Sequence, residues 1–316
     1  MNLRFAKLFL ASSLLLFACG LFGGDPDQAE TGPLGTDAPG GATPPGSEAG
    51  LPDQAFAVNE DFWHSGFRVG LGEGRFYGVA DDFTDEVDYF VSLAATFENL
   101  GVFDTFFDGA VALVADGEAY SALRSSDFPS VPTGLSASGE FLFLVDADFD
   151  PASAQLLVGS GDVNRAQIPL GPEGGELVTL EPSQPPVSGT ISLQLIDLHF
   201  TGAELRADRL HSYTQVEAGK LALTLFFDAD SRRSGNWSIL APDFTLTLPS
   251  GSSVAPEGSE LGSLPGSDDG VDTTGLYIRF LVDDPAAGTY TLRFTPGDWF
   301  VGDDGVAEGT LSFTIE

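Results

Sequence analysis

Apolar side chains recur at every second position in stretch after stretch of this chain, a period that fits strands with one buried face. Val87, Tyr89, Val91, Leu93 and Phe97 share one parity in VDYFVSLAATFEN, as do Leu221, Leu223, Leu225 and Phe227 in LALTLFFD. Phe244, Leu246 and Leu248 follow in FTLTLPSG, then Leu276, Ile278, Phe280 and Val282, then Tyr290, Leu292 and Phe294, and last Leu311, Phe313 and Ile315. Successive side chains of an extended chain point to opposite faces, so each run puts its apolar set on one face. Turn formers separate the runs: Asp116-Gly117, Gly159-Ser160-Gly161-Asp162, Pro249-Ser250-Gly251 and Pro296-Gly297-Asp298. No long segment carries a helical repeat. Short antiparallel strands with regular turns predict an all-β chain built as sandwiches.

The two halves of the chain echo each other. Gly109–Gly117 (GAVALVADG) and Asp243–Gly251 (DFTLTLPSG) are strand-into-turn segments 134 residues apart. Gly139–Asp146 (GEFLFLVD) is echoed by Gly275–Asp283 (GLYIRFLVD), and the tetrapeptides Phe143-Leu144-Val145-Asp146 and Phe280-Leu281-Val282-Asp283 are identical at an offset of 137. Two such matches predict two copies of one β-sandwich, at 55–183 and 187–316, joined through the Pro-rich connector Glu181–Pro186.

In the first copy Phe97-Glu98-Asn99-Leu100-Gly101 ends a strand, a strand–turn unit runs through Asp116-Gly117 to Tyr120, and an apolar strand starts at Gly139. This order is similar to that of telokin-like bacterial extracytoplasmic domains. The resemblance spans about 80 residues. It implies tandem immunoglobulin-like sandwiches and no catalytic residue. The second copy departs from it with an acidic, Gly/Ser-rich insertion at Val254–Gly275.

The N-terminus predicts export. Arg4 and Lys7 precede the ten-residue apolar run Leu8–Phe17. As a helix that run would rise only ~15 Å against the ~30 Å of a bilayer core, so it reads as a signal peptide (residues 1–18) and not as a membrane span. Leu16-Phe17-Ala18-Cys19 resembles a bacterial lipobox, and Cys19 is the only cysteine in the chain. The resemblance implies cleavage before Cys19 and acylation of its thiol, with several acyl chains giving a lasting anchor. Gly20 rather than Asp after the cysteine favours the outer membrane over the inner. With Cys19 acylated, no disulfide is available to the body. From Gly23 to Gly50, 13 of 28 residues are Gly or Pro and none is aromatic. Residues 19–54 therefore read as an acylated cysteine and a disordered tether, with an end-to-end distance of roughly 30 Å.

Charge excludes whole classes of partner. The chain carries a net charge of −34, and loss of Arg4 and Lys7 with the signal takes it to −36, leaving Lys220 as the only lysine. Such a surface repels nucleic acid and anionic lipid, so contact with the membrane is expected through the lipid anchor alone. The remaining partners are an unidentified protein or glycan.

Candidate chemistry is sparse. His64, His199 and His211 lack the tight spacing of a zinc site and read as ordinary surface or edge residues. No nucleophile elbow is present, and carboxylate pairs are expected by chance among 47 acids, so no catalytic site and no enzyme is expected. The one cofactor in view is Ca²⁺. Asp146, Asp148 and Asp150 form DxDxD at a strand exit, and Asp82 and Asp85 lie in an acidic stretch before a strand. Aromatics near strand ends (Phe62-Trp63, Phe103, Phe106-Phe107, Trp237, Trp299-Phe300) read first as core, and where exposed as a contact surface. The expected function is a non-enzymatic envelope lipoprotein that displays two sandwiches for protein binding, adhesion or scaffolding. The alternatives are a calcium-dependent binding module and a proteinase-inhibitor-like domain using the loop Ser125–Gly134.

Overall fold

The computed structural model describes residues 51–80, 86–232, 237–261, 263–264, 273–283, 285–296 and 308–316. Cys19, Asp82, Asp85, Trp299 and Phe300 lie outside the described residues, as does the side chain of Trp237. Among the described residues the structure is all-β, with one three-residue 3₁₀ turn at Ala241–Asp243. No helix among them is long and apolar enough to cross a membrane.

The first half contains β1 (Asp53–Ala57), β2 (Asp61–His64), β3 (Phe67–Ala80), β4 (Val87–Asn99), β5 (Thr105–Phe106), β6 (Val111–Ala115), β7 (Glu118–Ser121), β8 (Ser130–Val131), β9 (Ser136–Val145), β10 (Gln155–Val158) and β11 (Ala166–Pro169). One sheet runs β1-β3-β4-β9, with β2 also on β3, and the facing sheet runs β11-β10-β6-β7. The inward faces of both sheets, among them Val69, Val91, Phe141 and Phe143 from one and Leu113, Leu156 and Ile168 from the other, form a single apolar core.

The second half contains β12 (Gly189–Ser192), β13 (Ile196–Arg206), β14 (Asp208–Arg209), β15 (Thr214–Gln215), β16 (Lys220–Ser231), β17 (Trp237–Ser238), β18 (Phe244–Thr247), β19 (Ser253–Val254), β20 (Gly258–Glu260), β21 (Ser263–Leu264), β22 (Thr273–Asp283), β23 (Gly288–Phe294) and β24 (Gly309–Ile315). Its sheets run β12-β13-β16-β22-β20 and β19-β18-β23-β24 around a second core built on Leu198, Leu225, Ile278, Phe280, Leu246 and Leu292.

The two halves share one connectivity. Strands β3, β4, β6, β7, β9, β10 and β11 correspond in sheet position to β13, β16, β18, β19, β22, β23 and β24. In immunoglobulin lettering these are A, B, C, C′, E, F and G, and β20 beside β22 supplies D in the second half. In the first half the D edge is reduced to bridges from Ala122 to Phe143 and from Asp127 to Glu140. The identical tetrapeptides lie on β9 and β22, with Phe143 and Phe280 both fully buried. The other sequence match is out of phase by one residue. The 134-residue offset sets inward Leu113 against Thr247, whereas the buried residues of β18 are Phe244 and Leu246. A slip of one position exchanges the two faces of a strand, so burial corrects that alignment.

Strand pairing begins at Asp53, two residues before the expected start of the body at 55. The connector is itself paired: Ser183 N donates to Leu205 O at 3.0 Å and Leu205 N to Ser183 O at 2.8 Å. The described residues all belong to one compact unit.

Candidate functional site

The polar interior of the protein is gathered where the two sandwiches meet. His64, Ser65, Asn99, Asn164, Arg206 and Asp208 are all buried there. A short hairpin, β14 and β15, projects from the connection between β13 and β16 and makes the joint. Asp208 accepts the Gly66 N–H at 2.6 Å, and Gln215 accepts the Ser65 N–H at 2.9 Å. Both acceptors read the two-residue turn between β2 and β3, whose residues Ser65 and Gly66 both have positive φ, as a tight hairpin of type I′ requires. Gln215 also donates to Asn164 O at 3.1 Å, and Asn164 in turn donates to Lys220 O at 2.6 Å.

Tyr213, at the tip of the hairpin, holds a left-handed backbone with φ of 51°. A non-glycine residue stays in that region only when its surroundings hold it there. Here the ring rests against Gly66 and Gly101, and a Cβ on either glycine would collide with it. The Tyr213 hydroxyl meets Phe103 O and Asn99 Oδ1 and accepts the Phe103 N–H at 3.1 Å.

Asn99 is the hub of the adjoining loops. It is fully buried at the end of β4, and its amide nitrogen donates to Phe103 O at 3.0 Å and to Val131 O at 2.8 Å. Its Oδ1 accepts the Gly101 N–H at 2.9 Å. Its own backbone closes the arrangement, with Asn99 N donating to Leu135 O and Gly134 N donating to Asn99 O. Two loops, Leu100–Asp104 and Pro132–Leu135, are thereby fixed side by side, and Thr133 N donates to Asp104 Oδ1 at 3.0 Å across them.

These loops and the adjoining strand β5 expose an apolar surface. Val102, Phe103, Phe106 and Leu135 are each half or more exposed, at 51, 50, 54 and 58 %. Phe103 leans on Tyr213 with ring centroids 4.5 Å apart. Neighbouring Phe107 is buried and contacts Phe62, Phe67, Phe97 and Phe141 edge-on or tilted. The Phe106-Phe107 pair, read from sequence as core first, thus divides: one ring packs the core and the other faces out.

Beside the loop lies an open cleft of about 330 Å³ between the sandwiches, lined by Trp63, Leu100, Glu181, Glu204, Arg206 and Leu210 among others. Arg206 cannot serve an incoming anion there. Its Nε donates to Asp208 at 2.6 Å and its Nη1 to Glu204 at 3.0 Å, with all three side chains largely buried. Burial works against the Arg206 charge, and the bonds and charges of Asp208 and Glu204 outweigh it, so its pKa is raised.

His64 contradicts the sequence expectation of a surface or edge histidine. It is 3 % exposed, its Nδ1 has no hydrogen-bond partner, and its ring sits 6.0 Å from that of Phe107. The cause is the tight turn that follows it, which folds the short strand β2 back onto β3 and turns His64 inward. Burial pushes its pKa down to about 4, against the upward pull of the Asp208 charge. His199 fits the surface reading, bridging Thr190 at 3.1 Å and Asp230 at 3.0 Å across β12, β13 and β16. His211 stacks on Tyr277 with centroids 4.2 Å apart.

The expected calcium ligands are engaged separately. Asp146 accepts from the Tyr120 hydroxyl at 3.0 Å, Asp150 accepts the Ala152 N–H at 2.9 Å, and Asp148 is exposed. Among the described residues no group of three or more His, Cys, Asp or Glu is arranged to hold a metal ion. In the loop Ser125–Gly134, Val131 is fully buried, Phe128 packs on the core and Asp127 pairs with Glu140 through both backbone groups.

No protein-family profile and no curated protein matches the chain. Two solved structures resemble parts of it. A protein of unknown function from Listeria monocytogenes EGD-e has 9 % identity and a TM-score of 0.31, over 40 % of this chain and 89 % of that one. A conserved hypothetical protein from Bacillus anthracis has 16 % identity and a TM-score of 0.27, over 37 % of this chain and 96 % of that one.

Proposed function

We propose that the chain is a non-enzymatic lipoprotein of the cell envelope, anchored through Cys19, whose paired sandwiches serve as a protein-binding module. The observation that carries the binding role is the exposed group Val102, Phe103, Phe106 and Leu135, set on loops that Asn99 and Tyr213 fasten and on the adjoining strand β5. Exposed aromatic side chains cost free energy in water, and rigid ones lose little further entropy on binding. Both traits suit the centre of an interface. The polar groups of the junction, by contrast, are mostly spent on one another, which supports a structural role for them. The lipobox residues and the Gly/Pro-rich tether support display outside the cytoplasm.

Two measurements test this reading. Expression in a host that processes lipoproteins, with labelled palmitate, should label the wild-type chain and leave Cys19→Ser unlabelled and released from membranes. Equal labelling of Cys19→Ser would overturn the anchor. Crosslinking from a photoreactive residue at position 106 in cells should trap a defined protein partner, and trapping only of lipid or nothing would overturn the binding role.

A further inference from the structure

The apolar loop and the inter-sandwich cleft are neighbours on one segment of chain. Leu100 lines the cleft, and Val102 and Phe103 face out two and three residues later, within ~11 Å even for a fully extended chain. The two loop segments of this surface contain no basic residue. The segment 100–107 reads LGVFDTFF and 132–135 reads PTGL, and the charged residues among them, Asp104 and, just beyond, Asp108, are acidic and exposed. The cleft has the same sign. Glu181 is exposed, Glu204 is largely buried, and the lining cation, Arg206, is paired with both Glu204 and the buried Asp208. Glu181, Glu204 and Asp208 against Arg206 leave an excess of negative charge beside Leu100, Leu210 and the indole of Trp63, over which Arg68, itself paired with Asp61, stands 5.8 Å from the ring centre. An exposed carboxylate in a cleft of net negative charge with apolar walls attracts a cationic side chain through ion pairing.

Resting on the protein-binding reading above, we infer that this surface takes a polypeptide segment presenting a large apolar side chain next to a lysine or arginine. The apolar residue seats on Phe103, Phe106, Val102 and Leu135, and the cation enters the cleft toward Glu181 and Glu204. The net charge of −36 on the mature chain steers such a basic partner to the surface and repels acidic competitors. The division of labour is that of other interfaces, with an apolar centre supplying affinity and charges at its edge setting partner choice.

The test uses the full lipidated chain in detergent micelles, panned against a random dodecapeptide library, with enriched peptides then measured singly by fluorescence anisotropy. Enriched sequences should pair an aromatic or large aliphatic residue with an adjacent Lys or Arg. Phe103→Ser and Phe106→Ser should each weaken binding about tenfold or more. Glu181→Gln and Glu204→Gln should weaken it severalfold and flatten its dependence on NaCl. Leu144→Ser, at an exposed apolar position elsewhere on β9, should leave it unchanged. Two variants on each side keep the test decisive if one of them fails to fold, as judged by its melting curve. Peptides without a basic residue, or equal binding to both Gln variants, would overturn the cation receptor while leaving the protein-binding reading intact. No enrichment, undiminished binding to both Ser variants, or binding instead to neutral glycans on an array would overturn both.

Discussion

Asn99 carries more of the structure than its size suggests, because one buried amide satisfies donors and acceptors from two loops and from Tyr213. Replacing it with Leu keeps the volume and takes a hydrogen bond from Gly101 N, Val131 O and Phe103 O, of which Phe103 O keeps Tyr213, at a cost of about 1–3 kcal/mol for each group left buried and unsatisfied. Asn99→Leu should therefore lower the denaturant midpoint strongly and raise protease cleavage within Leu100–Leu135. Gly101→Ala should act through the same loop, since its methyl would displace the Tyr213 ring. His64 gives a prediction with a sign. Its folded pKa of about 4 lies below the ordinary 6.5, so between those values the unfolded chain binds the proton and the folded chain does not. Stability should then be greatest above pH 6.5 and fall, by up to ~1.4 kcal/mol per pH unit, as pH drops toward 4. His64→Phe should remove that part of the pH dependence. Asp53 and Glu217 have lowered pKa values, Asp53 chiefly through its bond to Arg75 and Glu217 chiefly through a backbone hydrogen bond, so their losses come at lower pH still.

At the scale of strands, legibility depended on whether alternation kept its phase. β4 was read from the sequence with its bounds correct, as Val91, Leu93 and Phe97 hold one parity to its end. β3 and β13, the first long strand of each sandwich, were missed. In β3 the buried residues run Phe67, Val69, Leu71 and then change parity to Phe76 across a register shift between Leu71 and Gly74. In β13 they run Ile196, Leu198, Phe200 and then Ala203, Leu205 across a shift between Phe200 and Gly202. A bulge adds one residue to one strand, so each half looks correct and the whole looks irregular. The site was less legible than the fold. Phe103 and Phe106 were singled out by residue type, but exposure is set by the Asn99 and Tyr213 contacts, and the latter reach across 110 and 114 residues of sequence. The core assignment carries its own test: Leu113→Ala and Leu246→Ala, at fully buried positions of β6 and β18, should each cost about 2–5 kcal/mol.

Across the whole molecule the question is whether two cores unfold as one. Asp208 sits at the joint, bonded to Arg206 within its own half and to Gly66 in the other. Breaking a buried ion pair outright costs about 3–5 kcal/mol, and removal of Asp208 costs less than that because Arg206 keeps Glu204. Calorimetry of the wild type should show one transition, and Asp208→Ala should split it into two as the halves uncouple; an unsplit transition would place the coupling elsewhere. The way the loops are held has a consequence of another kind. Leu100–Asp104 and Pro132–Leu135 are fastened by an amide on β4 and a phenol on the neighbouring hairpin, not by their own outward side chains. Positions 102 and 135 can therefore change identity without loosening what holds them. Framework and tip are separable, so substitution at the tip alone would alter the exposed surface and leave the fold that carries it in place.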